Sequence, residues 1–207
     1  MPNSPTDPSL TVFVVDDDAD IRTSLVRGLS KRGYLVEAYE SATAFLAAYS
    51  AERLGCLVLD YGMPDMNGLE LQRHLNAENL PIPIIFITGH GGVRESVQAI
   101  KGGAIDFLEK PFRQADLIER IEIAFEMARA RNSLDARSQQ QRARFDRLTA
   151  REQEIVNRII AAPSASSSKE IAAFLGISHR TVDHHRARIL EKLGVKSLAE
   201  LIALANG

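Results

Sequence analysis

Three apolar runs and one mixed run of this 207-residue sequence each break off at a side chain that could do chemistry. Thr11-Val12-Phe13-Val14-Val15 stops at Asp16-Asp17-Asp18, Cys56-Leu57-Val58-Leu59 at Asp60, Pro83-Ile84-Ile85-Phe86-Ile87 at Thr88, and Ile105-Asp106-Phe107-Leu108-Glu109 at Lys110. If the runs are parallel strands, their C-terminal ends line one edge of a sheet, which is where open α/β sheets bind ligands. Carboxylates crowded at such an edge repel one another unless a divalent cation lies among them, and hard oxygen donors in small number suit Mg²⁺. A lysine ammonium and a threonine hydroxyl opposite the cation would cradle phosphoryl oxygens. Asp60 would then be the nucleophile that accepts the phosphoryl group as an acyl phosphate.

The elements that must position these side chains are legible from periodicity. After the first run, Ile21, Leu25, Val26 and Leu29 recur at helical spacing up to Gly33, and Asp18 reads as the helix-entry residue. Residues 34–39 read as a second strand and residues 41–52 as a second helix capped by Ser41. Leu69, Leu71 and Leu75 mark a third helix beyond the Met63-Pro64 and Asn67-Gly68 turns. The Gly89-His90-Gly91-Gly92 stretch reads as a mobile loop, followed by a helix over residues 93–101. It is not a phosphate-binding P-loop, because no Gly-Lys-Ser/Thr follows. Leu117, Ile118, Ile121 and Phe125 mark a fifth helix, and Pro111 stops the fifth strand. Five strands alternating with helices predict a doubly wound parallel sheet.

Composition bounds the rest. The hydrophobic share of 45% suffices for an ordinary core, and the lone Cys56, inside an apolar run, reads as a small buried side chain in a reducing compartment. Residues 1–10 are polar and Pro-rich, without the regions of a signal peptide, and read as a disordered tail. No apolar run reaches the roughly 20 residues of a membrane span, so a soluble, cytoplasmic protein without membrane contact is expected. Residues 1–131 carry 13 Lys and Arg against 19 Asp and Glu, whereas residues 132–207 carry 12 against 8. An acidic part joined to a basic one suggests that the basic part meets a polyanion.

In that basic part, Thr149 and Glu152 form a capping-box pattern ahead of Ile155, Val156, Ile159 and Ile160. Residues 163–168 read as a loop, residues 169–175 as a short helix closed by Gly176, and residues 179–193 as a longer helix capped by Ser178. Short helix, Gly-containing turn and longer helix make the helix-turn-helix pattern. Val182, Ile189, Leu190 and Leu193 fall on its inner face. His179, Arg180, Thr181, Asp183, His184, Arg186, Ala187, Arg188 and Lys192 fall outside, a cation-bearing surface suited to the major groove. His184 and His185 do not read as a metal pair, since adjacent helical residues point about 100° apart. Between the two parts, past Ala128, the apolar stripe fades and no Gly or Pro interrupts, so residues 128–147 read equally as a rigid helical spacer or a flexible linker.

The acidic pair Asp16-Asp17, Asp60 with Met63-Pro64 and Gly68, Ile87-Thr88-Gly89-His90-Gly91, and Phe107-Leu108-Glu109-Lys110-Pro111-Phe112 resemble the receiver domain of bacterial two-component response regulators, a flavodoxin/CheY-like fold. That resemblance covers residues 11–127. It implies Asp60 as phosphoacceptor, Asp16, Asp17, Asp60 and the Gly62 backbone carbonyl around Mg²⁺, and Thr88 and Lys110 on the phosphoryl group. It also implies Thr88 with Phe107 as the switch pair and a cis bond before Pro111. From residue 148 to 207, Leu148-Thr149-Ala150-Arg151-Glu152, Lys169-Glu170-Ile171-Ala172, Leu175-Gly176-Ile177-Ser178 and Arg180-Thr181-Val182-Asp183-His184-His185-Arg186-Ala187 resemble the LuxR-type helix-turn-helix of the NarL/FixJ response regulators, most closely the FixJ subgroup. Arg180, Thr181, Val182, Asp183, His184, His185, Arg186, Arg188 and Lys192 are the implied DNA-contacting set.

The reading that follows is a transcription regulator and no enzyme, beyond slow self-dephosphorylation. A sensor histidine kinase would phosphorylate Asp60, and the chain would then form a homodimer on double-stranded operator DNA, with RNA polymerase a further candidate partner. The alternative is a phosphate-independent DNA-binding regulator whose receiver is only a dimerisation module. An aspartyl-phosphate phosphatase would need a second acid two residues after the nucleophile, and Gly62 stands there. Three departures from the family pattern stand out: bare Gly62, which would open the acyl phosphate to water; a lengthened loop over residues 163–168; and Asp183, where many relatives carry Lys, which reads equally as a change in target sequence or as a local ion pair with Arg186 or Arg180.

Overall fold

The computed structural model describes residues 10–89 and 92–206. The tail expected over residues 1–10 therefore lies outside the described residues except for Leu10, as do His90 and Gly91 of the glycine-rich loop. The chain divides into two compact units, Met1–Ser133 and Leu134–Gly207.

In the first unit five strands, β1 (Thr11–Val15), β2 (Leu35–Tyr39), β3 (Gly55–Asp60), β4 (Ile84–Thr88) and β5 (Asp106–Glu109), form one sheet of order β2-β1-β3-β4-β5. Every pairing is parallel. The helices α1 (Ala19–Ser30), α2 (Ala42–Ala48), α3 (Gly68–Ala77), α4 (Val93–Lys101) and α5 (Gln114–Phe145) connect and follow the strands. Successive strand residues point to opposite faces, so Val12, Val14, Val58 and Ile87 pack with Leu29, Leu117, Ile121 and Phe125, whereas Phe13, Leu57, Leu59 and Phe86 pack with Phe45, Leu71, Leu75 and Ala99. Helices cover both faces, which is why the inner strands β1, β3 and β4 are buried apolar runs without alternation.

Local sequence explains most helix ends. Asp18 caps α1, accepting from the amides of Asp20 and Ile21, and Asn67 and Glu70 form a capping box at α3. Gly68 has to be glycine: a Cβ there would lie 2.6 Å from the Asp60 carbonyl oxygen and 2.7 Å from the Phe86 ring. One helix is shorter than its pattern. α2 stops at Ala48 instead of residue 52, because Tyr49 turns into the core, stacks on Phe45 with centroids 5.0 Å apart and donates to the Pro81 carbonyl. Past its buried face, α5 continues as helix to Phe145, the helical one of the two readings of that stretch.

The second unit contains α6 (Ala150–Ala161), a 3-10 turn (Pro163–Ala165), α7 (Ser168–Leu175), α8 (His179–Leu193) and α9 (Leu198–Asn206). Ile155, Ile159, Ile171, Val182, Ile189, Leu193 and Leu201 form its core. α7 begins at Ser168, one residue ahead of its expected bound, because Ser167 and Glu170 make a reciprocal capping box of the Ser-x-x-Glu pattern. Gly176, in the left-handed conformation with φ 66°, closes α7 and turns the chain into α8.

Candidate functional site

The order β2-β1-β3 makes the gap between β1 and β3 the point where successive connections leave in opposite directions, and a ligand crevice opens there. Asp16 follows β1 and Asp60 ends β3, so two carboxylates face one another across that gap, each almost fully buried. Lys110, just beyond β5, reaches between them. Its ammonium donates to Asp16 Oδ2 at 2.8 Å and Asp60 Oδ1 at 2.7 Å. The amide of Gly62 donates to the other Asp60 oxygen at 2.7 Å, and that of Asp18 to Asp16 Oδ1 at 2.9 Å. Arg22, which sequence reasoning did not single out, donates to the Asp16 carbonyl at 2.6 Å from α1.

Burial pushes the Asp16 carboxyl above its ordinary value, and Asp60 adds to the rise, while Lys110 and the Asp18 amide hold it back. Burial by itself would depress the Lys110 ammonium; the two carboxylates outweigh it and raise its pKa. One cation thus serves two buried anions, and the crevice has an excess of negative charge.

Thr88 is buried at the end of β4, one residue past Ile87, the register partner of Asp60. Its carbonyl accepts the Lys110 amide at 2.7 Å. Phe107 lies beside Phe86 in register and packs its half-buried ring on Phe86 and Tyr61, with centroids 6.0 and 6.2 Å away. The Lys110–Pro111 bond is cis. Asp17 is exposed at the rim. Gly62 is exposed too, and a Cβ there would meet one atom within 4 Å, Asp60 Oδ2 at 3.6 Å.

Among the described residues no three His, Cys, Asp or Glu side chains are gathered closely enough to cage a metal by themselves. The donor set nonetheless fits Mg²⁺, which keeps several waters and takes only one or two carboxylates. Asp16 and Asp60 are hard oxygen donors, buried together and sharing a single ammonium.

In the second unit α8 exposes His179, Arg180, Thr181, Asp183, His184, Ala187 and Arg188. Four members of the expected DNA-contacting set, Val182, His185, Arg186 and Lys192, sit otherwise. Val182 is fully buried in the core and presents no surface, which removes it from the set. Lys192 donates to the buried Glu152 at 2.5 Å. Arg186 is half-buried and donates to the Ser166 carbonyl at 3.3 Å and the Ser168 hydroxyl at 2.9 Å. Asp183 accepts from Ser168, not from Arg180 or Arg186 as the ion-pair reading supposed. His185 is half-buried, with Nδ1 enclosed and unpaired. Its ring centroid lies 6.2 Å from that of His184.

A parallel sheet with an acidic switch-point crevice, followed by a helix-turn-helix, is the build of a signal-receiving DNA-binding protein. Two family models match these parts: response regulator receiver domain over residues 12–122, and bacterial regulatory proteins, luxR family, over residues 146–205. The chain belongs to the response regulators that join a receiver to a LuxR-type DNA-binding domain. It is 43% identical to the transcriptional regulatory protein FixJ of Rhizobium meliloti, across 95% of this chain and 96% of that one. The transcriptional regulatory protein TdiR of Thauera aromatica is 42% identical across 93% of this chain and 83% of its own. The low-resolution structure of the response regulator StyR matches with a TM-score of 0.84 at 42% identity, covering 96% of this chain and 98% of that one.

Proposed function

We propose that Asp60 accepts a phosphoryl group from the phosphohistidine of a sensor kinase and that the acyl phosphate switches the chain to a DNA-binding dimer. The observation that carries this reading is the Lys110 ammonium shared between Asp16 and Asp60 at the switch point of the sheet. In the transfer a carboxylate oxygen of Asp60 bonds to phosphorus, the phosphorus–nitrogen bond of the donor breaks, and its electron pair leaves with the imidazole. Lys110 then balances the phosphoryl charge, and the Thr88 hydroxyl binds one of its oxygens. Asp16, Asp17, Asp60 and the Gly62 carbonyl would hold Mg²⁺. When bound, the ion neutralises charge developing on the phosphoryl oxygens.

Thr88 moving toward the phosphoryl group vacates space that Phe107 takes up, and the change reaches α4. There Val97 and Ile100, three residues apart on one helical face, are 44% and 47% exposed. An exposed apolar pair of this kind suits a second copy, and a two-fold pair of α8 helices suits a palindromic operator. Among the described residues no helix is long and apolar enough to cross a membrane, which fits work in the bacterial cytoplasm. The chain acts as a regulator, with RNA polymerase a further candidate partner, and its only turnover is slow loss of its own phosphoryl group.

Light scattering with Mg²⁺, with and without beryllofluoride as acyl-phosphate mimic, tests the switch. The mass is expected to rise from the 22.8 kDa of one chain to twice that value. A mass that beryllofluoride leaves unchanged would remove dimerisation from the mechanism. A second expectation concerns Gly62, which is exposed beside the phosphoacceptor and has no side chain to shield an acyl phosphate there from water. Gly62→Thr would set a Cβ 3.6 Å from Asp60 Oδ2 and add bulk beyond it, and the half-life of the labelled protein should lengthen several-fold.

A further inference from the structure

Asp183 lies three residues after Arg180 and four before Ala187, so the three share the exposed face of α8. Its carboxylate is held. The hydroxyl of Ser168, first residue of α7, donates to Asp183 Oδ1, and Ser168 Oγ in turn accepts from Arg186 Nη1 at 2.9 Å. A serine hydroxyl has one proton to give, and here it is committed to Asp183, so the relay has a single polarity. Arg186 is itself tied to the Ser166 carbonyl. α8 therefore presents an anionic acceptor whose orientation is set from its neighbouring helix, on a face otherwise bearing cations.

Given the DNA-binding reading of α8, we propose that Ser168 and Arg186 pre-orient Asp183 to accept the exocyclic amine of cytosine in the major groove. The base edges favour that choice. Guanine offers two acceptors and thymine one, and both repel a carboxylate; the adenine amine is flanked by acceptors on both sides, its own N7 and the thymine O4, whereas the cytosine amine has the guanine O6 on one side and only its own C5–H on the other. Asp183 is thus a specificity determinant and Ser168 a positioning residue. Small Ala187, one turn on, lets the helix come close enough for a side chain as short as aspartate to reach a base.

Selection from a randomised duplex library with the full-length chain, with and without beryllofluoride, tests this. The wild type should enrich a half-site with one nearly invariant cytosine, and changing that C·G pair to T·A should weaken binding on the order of tenfold. Asp183→Ala should lose the preference at that position and keep those elsewhere. Ser168→Ala should blunt it, and Ser168→Thr, which retains the hydroxyl, should restore it. Unchanged base preferences in Asp183→Ala, or adenine enriched at the position Asp183 controls, would overturn the assignment. A full cytosine preference in Ser168→Ala would overturn the positioning role. Enrichment of no sequence by the wild type would overturn the DNA-binding reading of α8, and this inference with it.

Discussion

Asp60→Asn is expected to abolish labelling of the protein by acetyl phosphate in the presence of Mg²⁺, and with it the beryllofluoride-driven change in mass. Asparagine keeps the volume of the side chain but has no anionic oxygen to attack phosphorus. Loss of fold would be the trivial cause of such a result, and the geometry argues against it. Asp60 is one of two buried carboxylates that share the Lys110 ammonium, and its charge adds to the rise in the Asp16 pKa. Removing that charge relieves a repulsion and leaves Lys110 paired with Asp16, so the thermal midpoint should hold or rise. Labelling that persists in Asp60→Asn, mapped to another residue by peptide mass spectrometry, would sink the assignment of the phosphoacceptor.

The second large effect belongs to the other unit. Glu152 is buried, yet it is charged: its carboxylate accepts from the Thr149 amide at 2.8 Å and from Lys192 at 2.5 Å. Burial pushes its pKa up, but Lys192 together with the Thr149 cap outweighs this and brings it from 4.5 to about 2. A carboxyl depressed in the folded state contributes stability in full above its unfolded pKa, about 4.5, and loses it as pH falls from there toward 2. The span corresponds to about 3 kcal/mol. Lys192→Met strands the carboxylate beside the core and should destabilise the unit by a similar amount, about 3 kcal/mol. Hydrogen exchange in peptides of α6 and α8 should accelerate accordingly at neutral pH. In Glu152→Gln the acid-induced loss between pH 4.5 and 2 should flatten. Unaltered exchange in Lys192→Met would show that the ion pair contributes nothing to the unit.

Much of the site was open to a reader of residue types and spacing. Asp16, Asp60 and Thr88 fall at strand ends because a buried parallel strand is a run of apolar residues and the first polar side chain after it marks the edge, and Lys110 because Pro111 stops the strand before it. The caps Asp18, Ser41 and Thr149 are legible too, because each bonds an amide two or three residues away, whereas Asn67, read only as part of a turn, is also a cap. Where a pattern misled, a distant contact had won. Periodicity alone carried α2 to residue 52, but Tyr49 gains more by stacking on Phe45 in the core than by continuing the helix. Val182 looked available both to DNA and to the core, and only packing assigned it to the core.

By itself, then, the sequence determined the alternation of strands and helices, the identity of the side chains at their ends and the helix-turn-helix. These depend on hydrophobic period and on bonds between near neighbours. Tertiary structure alone decided that β1 lies beside β3, that Lys110 bridges carboxylates 94 and 50 residues away, that Lys192 answers Glu152 across 40 residues, and that Ser168 fixes Asp183. Each of these pairs needs two elements brought to one register. No local pattern specifies that register, because it is set by how the buried faces of whole strands and helices fit together.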